Sequence, residues 1–419
     1  KKHCPELYEA AQNGASVFAS RFEGLTPVSI DYALTEKTDK AAVIPMNLHW
    51  SDIGSWDSLK EYRQAIGRPL NKTIVYIDTI IFDLQKAGGI SVYWYEIIKR
   101  LLADKTIEPY FIVSAKEKTN IYWDKLALPE EKIIFFDGIL NRYRTVKYRE
   151  TRPHVFMSSY YRTTSNRKAR TITVVHDFTY EYYVKGPKEW VHHWQKTKAI
   201  RAAAMNVCIS ENTRKDLLKF CGKEVPAVVI YNGVSEKYRI LNQQEKEERL
   251  KNFADPVANI IRSGKYVLYV GGRSGYKNWG AAVKLFKTLP AEFYMLSVGG
   301  GKITDEEERL LGEAAPRHFW LDALSEEALC LLYNNAYCLL YLSEYEGFGI
   351  PVVEAQQCGC PVIAMNKSSI PEVAGEEAIL INDLRKVDMQ TLRTGKKQKE
   401  KARFSWDSCY SRIRPLLGE

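Results

Sequence analysis

Short, continuous apolar runs alternate with amphipathic stretches twice along this chain. The first series opens at Thr73-Ile74-Val75-Tyr76-Ile77-Asp78. It continues through Tyr110 to Ser114, Lys132 to Phe136, Val155 to Ser158, Thr171 to His176, Asn206 to Ser210 and Ala227 to Tyr231. The second includes Tyr266 to Val270, Phe293 to Val298, Cys338 to Leu342 and Pro361 to Ala364. A strand that is apolar on consecutive residues is covered on both faces, the pattern of parallel sheets with crossover helices. The chain is therefore expected to be α/β, with two doubly wound, Rossmann-like domains over residues 72–236 and 262–404. The polar, charged residues 235–264 read as the connection between them. A length of 419 residues gives both domains ample core.

Doubly wound folds bind ligands beyond the carboxyl ends of their strands, and four such ends carry distinctive residues. Gln85-Lys86-Ala87-Gly88-Gly89-Ile90 joins the opening strand to an amphipathic helix over about Ser91 to Leu102. Val174-Val175-His176-Asp177 is a buried run ending on two polar side chains. In Gly271-Gly272-Arg273-Ser274-Gly275-Tyr276-Lys277-Asn278-Trp279, glycines let the backbone approach a phosphate. Arg273 can fork onto its oxygens there, and Lys277 adds a point charge. The fourth end is Glu346-Gly347-Phe348-Gly349-Ile350-Pro351-Val352-Val353-Glu354. It reads as a turn into a helix with Pro351 at the first position, where a missing N–H costs nothing. Such a start offers free N–H groups and a positive dipole end to an anion. Glu346 in the loop and Glu354 in the first turn would flank that anion and reach hydroxyls, which suits a nucleotide-sugar.

This two-glutamate stretch, with the other three turns, resembles the retaining GT-B glycosyltransferases, the family containing sucrose synthase and the bacterial mannosyltransferases of lipopolysaccharide assembly. The resemblance covers roughly residues 72–417. It implies two domains facing a cleft, residues 405–419 as a terminal helix crossing back to the first, and an appendage at the N-terminus. It also implies transfer of a hexose from a nucleoside diphosphate to a hydroxyl, with retention at the anomeric carbon. Glu354 would hold the ribose diol and Glu346 the hexose hydroxyls, while Arg273 and Lys277 neutralise the leaving diphosphate. Backbone N–H groups of Phe348 and Gly349, beside Ile350, would complete the contacts. Gly88, Gly89 and Gly272 would lie against the donor phosphates, and His176 or Asp177 would approach the transferred sugar. Asp322, within Phe319 to Glu327, would line the base pocket. The sequence contains no Asp-x-Asp metal clamp, so no metal is expected and fixed cations would do its work. Gln85 to Tyr93 and the His176-Asp177 pair look most like the O-antigen mannosyltransferase branch. GDP-mannose is thus the expected donor, a substrate and not a cofactor. A sugar-nucleotide epimerase or hydrolase of the same fold would instead turn over the donor without an acceptor. A non-catalytic sugar-nucleotide-binding scaffold would bind without turnover.

Residues 1–67 look foreign to the rest. Pro27 to Thr38 and Trp50-Ser51-Asp52-Ile53-Gly54-Ser55-Trp56 resemble the closing part of the mannose-1-phosphate guanylyltransferase catalytic domain. In that family the aspartate matching Asp52 helps hold the metal. The glycine loop that should open such a domain and its accompanying lysine are missing from this sequence, so a triphosphate has no cradle. The stretch is expected to be an inactive remnant, with Asp52 structural. The chain opens on Lys1, not Met, which leaves room for an upstream portion of a longer bifunctional protein. Steps of one pathway are often joined in one chain, a second ground for GDP-mannose.

The net charge of +9 admits nucleic acid, an anionic membrane surface or a phosphorylated substrate. Between Arg142 and Arg170 nine Arg or Lys stand against one acid, Glu150, with Tyr143, Tyr148, Tyr160 and Tyr161 interleaved. This is either a solvated basic face or an acceptor-side surface meeting anionic lipid headgroups or a lipid diphosphate. Tyr160 and Arg162 are its candidate contacts with a glycan or lipid-linked acceptor. No recognised nucleic-acid-binding module occurs, so nucleic acid is not expected as a partner. No run approaches ~18 apolar residues, the length that spans a membrane. The eight cysteines are scattered without zinc-finger spacing and are expected to be buried, reduced thiols. No signal-peptide core follows Lys1-Lys2-His3-Cys4-Pro5. A cytoplasmic placement, peripheral on the inner face of the membrane, is the expectation.

Overall fold

The apolar runs become parallel strands in two separate sheets. The computed structural model describes residues 72–273, 275–322, 324–383 and 404–418, with Tyr8, Glu9, Gln12 and Ser58 from the N-terminal stretch. The reading of residues 1–67, Asp52 included, lies outside the described residues. The first sheet holds β1 (Thr73–Asp78), β2 (Ile107–Val113), β3 (Ile133–Phe135), β4 (His154–Ser158), β5 (Ala169–Val175), β6 (Met205–Cys208) and β7 (Ala227–Val229). Its seven strands run in the order β3-β2-β1-β4-β5-β6-β7. The second holds β8 (Tyr266–Val270), β9 (Tyr294–Val298), β10 (His318–Leu321), β11 (Cys338–Tyr341), β12 (Val362–Met365) and β13 (Ile379–Ile381). Its six strands run in the order β10-β9-β8-β11-β12-β13. All the pairings are parallel, and the strand order reverses beside β1 in one sheet and β8 in the other. Those switch points are where open α/β sheets form a crevice.

Helix α1 (Gly89–Ala103) covers the first sheet with Tyr93, Trp94, Ile97, Ile98 and Leu101, a single face at helical spacing. Each is fully buried, and Ile97, Ile98 and Leu101 contribute roughly 1.5–3 kcal/mol apiece. In the same domain lie α2 (Pro187–Ala202) and α3 (Glu211–Cys221). Ser210 caps α3, its Oγ accepting from the Thr213 N–H at 3.0 Å. The connection over residues 235–264 is not irregular. It contains α4 (Gln243–Leu250), begun by an Asn242–Glu245 capping box, and α5 (Val257–Ser263). In α4 only Leu250 is buried, so no apolar period betrays the helix. Two edge strands, β10 and β13, are absent from the sequence reading for a similar reason: both are short and mostly half-buried.

In the second domain α7 (Ile350–Gln357) packs on β11 and β12, with α6 (Glu326–Asn335) and α8 (Ile370–Ala374) against it. The terminal helix α9 (Trp406–Gly418) packs on α1 and β1 of the first domain. Arg414 and Tyr410 both donate to Asp104 at 2.9 Å, and Arg100 donates to Asp407 at 2.7 Å. The domains also meet directly. Glu372 on α8 accepts from the Glu211 and Asn212 N–H groups at the start of α3, at 3.0 and 2.9 Å, where a carboxylate complements the helix dipole. Tyr345 accepts from the Phe178 N–H at 3.0 Å and donates to Asp216 at 2.7 Å.

The seven described cysteines are buried and free. Among the described residues no helix is long and apolar enough to cross a membrane.

Candidate active site

The two switch points face each other across a cavity of about 340 Å³. Gly89, His176 and Asp177 line it from the first domain, and Lys277, Glu346, Phe348, Gly349 and Ile350 from the second. Eight of the residues expected from sequence to serve the donor and the chemistry thus line one cavity.

Glu346 is held by its neighbours. Its N–H donates to Ser368 Oγ at 2.9 Å, and Ser369 Oγ donates to the carbonyls of Glu346 at 2.9 Å and Phe348 at 3.0 Å. Lys277 Nζ donates to both carboxylate oxygens of Glu346, at 2.7 and 2.9 Å. Burial alone would lower the Lys277 pKa, but the Glu346 carboxylate outweighs it and holds the ammonium above its ordinary value. Helix α7 begins at Ile350, which puts Pro351 second and not first. Its N-cap is Gly349, and no side chain caps it; Pro351 has no N–H and Val352 donates to the Gly349 carbonyl at 3.0 Å, so the Ile350 N–H is the one the helix start turns toward an anion. Gly349 has φ +97°, a conformation that requires glycine, and a Cβ there would also displace the Ile370 Cδ1 methyl, 2.6 Å away.

Opposite stand His176 and Asp177, just beyond β5. Burial pushes the His176 imidazole down to about 4, aided by the nearby Lys196 ammonium, so the ring is neutral near pH 7. Among the described residues its Nε2 has no hydrogen-bond partner, and the Tyr93 ring meets it edge-on at 5.1 Å. Burial pushes the Asp177 carboxyl up, but Lys196 and the Thr179 N–H outweigh it and keep it ionised. Lys196 is itself buried, donating to the Asp177 carbonyl at 3.0 Å and to Glu181 at 2.8 Å. The cavity therefore sets one ammonium against two carboxylates, with an uncapped helix start beside them. Among the described residues no cluster of three or more His, Cys, Asp or Glu side chains is arranged to hold a metal ion.

Arg273 is not a phosphate fork. It is buried, donating to Glu307 at 2.8 Å and to the carbonyls of Gly299, Gly301 and Lys302 at 2.7, 2.8 and 2.8 Å. These bonds leave the guanidinium no edge for a ligand, and it ties the turn after β9 to the turn after β8. Arg273→Ala should therefore destabilise the fold by roughly 3–5 kcal/mol, the scale of breaking a buried ion pair. Urea unfolding would show it, and an unchanged midpoint would refute the assignment.

Arg162 is likewise structural. It is 3% exposed and pairs with the buried Asp78, also donating to Asn141 Oδ1 at 2.9 Å, so it cannot meet an acceptor. Tyr160 lies in a neighbouring cavity, bonded to His192 Nε2 at 3.0 Å. Gly271, not Gly272, lines the cleft; the exposed Gly272 accepts from Tyr269 OH through its carbonyl at 2.6 Å. Gly88 is the N-cap of α1, one residue back from the wall formed by Gly89. Asp322 is exposed, just past edge strand β10, and does not line the cavity.

Glu354 is the fifth residue of α7, past the first turn, and it too is off the cavity wall. Tyr333 donates to its carboxylate at 3.0 Å. Burial pushes its pKa up to about 7, and Glu326 adds to the shift while Tyr333 and Tyr238 oppose it. A carboxyl whose folded pKa is raised favours the folded state at low pH. That contribution is lost as pH rises from its ordinary 4.5 through about 7. Wild type should therefore lose stability relative to Glu354→Gln across that window and not above it, as paired urea titrations at several pH values would show. Parallel curves would contradict the raised pKa.

Sequence reasoning missed the residues that position Glu346. Ser368, Ser369 and Ser210 are single hydroxyls in loops; Ser210 and Ser369 stand where the sequence suggests helix starts, and that signal says nothing of Glu346. Ser210 Oγ also donates across the cleft to the Gly347 carbonyl at 2.6 Å.

Two doubly wound domains whose switch points meet at one cleft define the GT-B class. Residues 87–238 match the family Glycosyltransferase Family 4, and residues 243–384 match Glycosyl transferases group 1. The chain carries the two domains of a GT-B glycosyltransferase. It is 27% identical to O-antigen chain mannosyltransferase B of Escherichia coli over 58% of this chain and 69% of that protein. It is 24% identical to the Escherichia coli serotype-specific mannosyltransferase WbdA over 57% of this chain, but spans only 32% of that longer protein. A mannose-1-phosphate guanylyltransferase of Salmonella montevideo is 64% identical over 33 residues, 8% of this chain and 7% of that protein, a short partial match. Among solved structures, Anabaena HepE in complex with UDP-glucose superposes with a TM-score of 0.60 at 14% identity, covering 83% of this chain and 99% of that one. That likeness concerns the fold.

Proposed function

We propose that this chain moves a hexose, mannose from GDP-mannose, to a hydroxyl of a glycan or lipid-linked acceptor in cell-surface polysaccharide synthesis, with retention. The observation that carries the reading is the Lys277–Glu346 pair, set beside the uncapped start of α7 and facing Asp177 across the cleft. As the anomeric C–O bond breaks, the nucleoside diphosphate departs with the bonding pair and negative charge accumulates on it. Lys277 and the Ile350 N–H are already oriented toward that charge, which is where preorganised electrostatics acts. The acceptor oxygen bonds to the anomeric carbon, and its proton passes to the departing diphosphate. Glu346, sharing Lys277 with the phosphate, would keep an oxygen for the hexose hydroxyls. No carboxylate is assigned as a covalent nucleophile.

Mannose and GDP rest on the relatives that are mannosyltransferases, with the short guanylyltransferase match in support. Independence of a metal rests on Lys277 as the fixed cation. Peripheral attachment to an anionic membrane from the cytoplasmic side is part of the same reading. It is supported by Ile139 and Leu140, 91% and 70% exposed beside Arg142 and Arg144.

The test incubates the purified chain with labelled GDP-mannose, UDP-glucose or UDP-N-acetylglucosamine and lipid-linked sugar acceptors, with and without EDTA. Transfer from GDP-mannose, insensitive to EDTA and giving the retained anomer, is expected. Preference for a uridine donor would remove the mannose assignment and spare the reaction type. Absence of transfer from every donor would remove both.

A further inference from the structure

Three consecutive residues after β11, Glu344-Tyr345-Glu346, touch both halves of the cleft. The Glu344 N–H donates to the Tyr276 carbonyl at 2.8 Å, one position before Lys277. The Tyr345 hydroxyl accepts from the Phe178 N–H at 3.0 Å, one position after Asp177. Glu346 itself receives Lys277. We propose that Tyr345 is a positioning residue for the reaction. Its hydroxyl ties the loop that bears Glu346 to the strand end that bears Asp177, and so sets the width of the cleft where the chemistry occurs. The inference rests on the glycosyl-transfer reading of that cleft.

The ring is a peg from one domain seated in the core of the other. Tyr345 is buried in a cluster with Val175, Phe178 and Leu217, all of the first domain, and the Tyr182 ring lies 5.1 Å away. Side chains in such a core are close-packed, which leaves the hydroxyl one place to sit.

The hydroxyl is also oriented. It donates to Asp216 on α3 at 2.7 Å, which turns its lone pairs toward the Phe178 N–H. Burial and the Asp216 carboxylate push the phenol well above its ordinary pKa, so it keeps its proton and both bonds hold at working pH. Asp216 is fixed in turn, accepting from Tyr182 at 2.7 Å and from Asn212 at 3.2 Å. Phe178 is fully buried, so without the hydroxyl its N–H would be left unpaired and the chain at Asp177 would shift to find an acceptor.

The other bonds between the domains allow the effect on rate to be separated from folding. Ser210 and Thr213 bind the Gly347 carbonyl, and Glu372 binds the Glu211 and Asn212 N–H groups, all at the start of α3. These hold the domains together when the Tyr345 hydroxyl is gone. What is lost is the register between Asp177 and Glu346. The proposed donor contacts, Lys277 and the Ile350 N–H, lie in the second domain and keep their places.

Tyr345→Phe keeps the ring and removes only the hydroxyl, while Asp216→Ala reaches the same hydroxyl from α3, so two variants carry the test. Hydrogen–deuterium exchange on the full chain, read over residues 176–181, reports the Phe178 amide without any substrate. Steady-state kinetics with labelled GDP-mannose and lipid-linked sugar acceptors reports the rate. Faster exchange is expected in Tyr345→Phe, with kcat lowered about tenfold, the scale of one lost hydrogen bond, and a donor KM within about twofold of wild type. The double variant should fall little further than the slower single one, because both changes act on one hydroxyl. A merely structural role would lower the melting temperature without splitting kcat from KM. Unchanged exchange, a wild-type kcat in Tyr345→Phe, or a raised donor KM at unchanged kcat would overturn the proposal and leave the transfer reading standing. Faster exchange in the variant, with no transfer by the wild type from any donor, would keep the tether and remove the transfer reading.

Discussion

Lys277→Ala should lower turnover at saturating donor by roughly 10²–10³-fold, the scale of losing one preorganised charge donor at the site of developing charge. The cavity holds Lys277 against Asp177 and Glu346, so the variant leaves two carboxylates facing a diphosphate with only the Ile350 N–H in opposition. Glu346 would also lose the partner that receives both its oxygens. Lys277→Ala/Glu346→Gln removes that unpaired charge and should regain part of the donor affinity without regaining the rate. Steady-state kinetics over a donor range separates the two effects. Melting should change less than in Arg273→Ala, because the Lys277 side chain is 23% exposed and that of Arg273 only 2%. A wild-type kcat in Lys277→Ala would remove the phosphate site, and with it the main support for the proposed reaction.

The two cations after β8 show where sequence reading reaches and where it stops. Both sit in one glycine-bearing turn, and nothing local separates them. What separates them is Glu307, 34 positions on, which with three carbonyls captures Arg273. Arg162 is decided in the same way by Asp78, 84 positions earlier, at the buried end of β1. Strands such as β1 and β8 were legible because apolar character on successive residues has one stable outcome, a covered parallel sheet. The site's wall was legible for a related reason, since a strand's carboxyl end is a fixed place in the fold. Side-chain commitments across the sheet have no period and no turn signature. A charge in the right turn is thus a candidate until its partners are known. The cavity beside the cleft was legible only in part for the same cause: Arg142, Tyr160 and Tyr161 lie in one basic, tyrosine-bearing stretch, but Gln85, Tyr180, His192 and Tyr276 come from separate loops and helices that only the folded chain assembles.

Gly347→Ala should be the most damaging small substitution in the cleft. A Cβ at Gly347 would lie 1.9 Å from the His176 carbonyl oxygen and 3.0 Å from its carbon, and the obstacle is backbone just past β5, which cannot rotate aside. Gly347 has no positive φ, so the cost is one of space between the two domains and not of local conformation. The domains would have to part. Parting would stretch the Ser210 and Thr213 bonds to the Gly347 carbonyl, now 2.6 and 3.2 Å, and draw His176 and Asp177 away from Lys277 and Glu346. A displacement of about 1 Å between reacting groups can cost roughly 10²-fold in rate, so kcat should fall at least that far. Stability should fall by only about 1–3 kcal/mol, the range for an overpacked methyl. Donor affinity should persist, because the proposed phosphate contacts, Lys277 and the Ile350 N–H, belong to the second domain alone. Small-angle scattering should report a larger radius of gyration for the variant, and calorimetry a donor Kd within a few-fold of wild type. A variant with unchanged scattering and wild-type kcat would mean that the working enzyme holds His176 and Gly347 apart, and that the cleft turns over in a more open arrangement than this one.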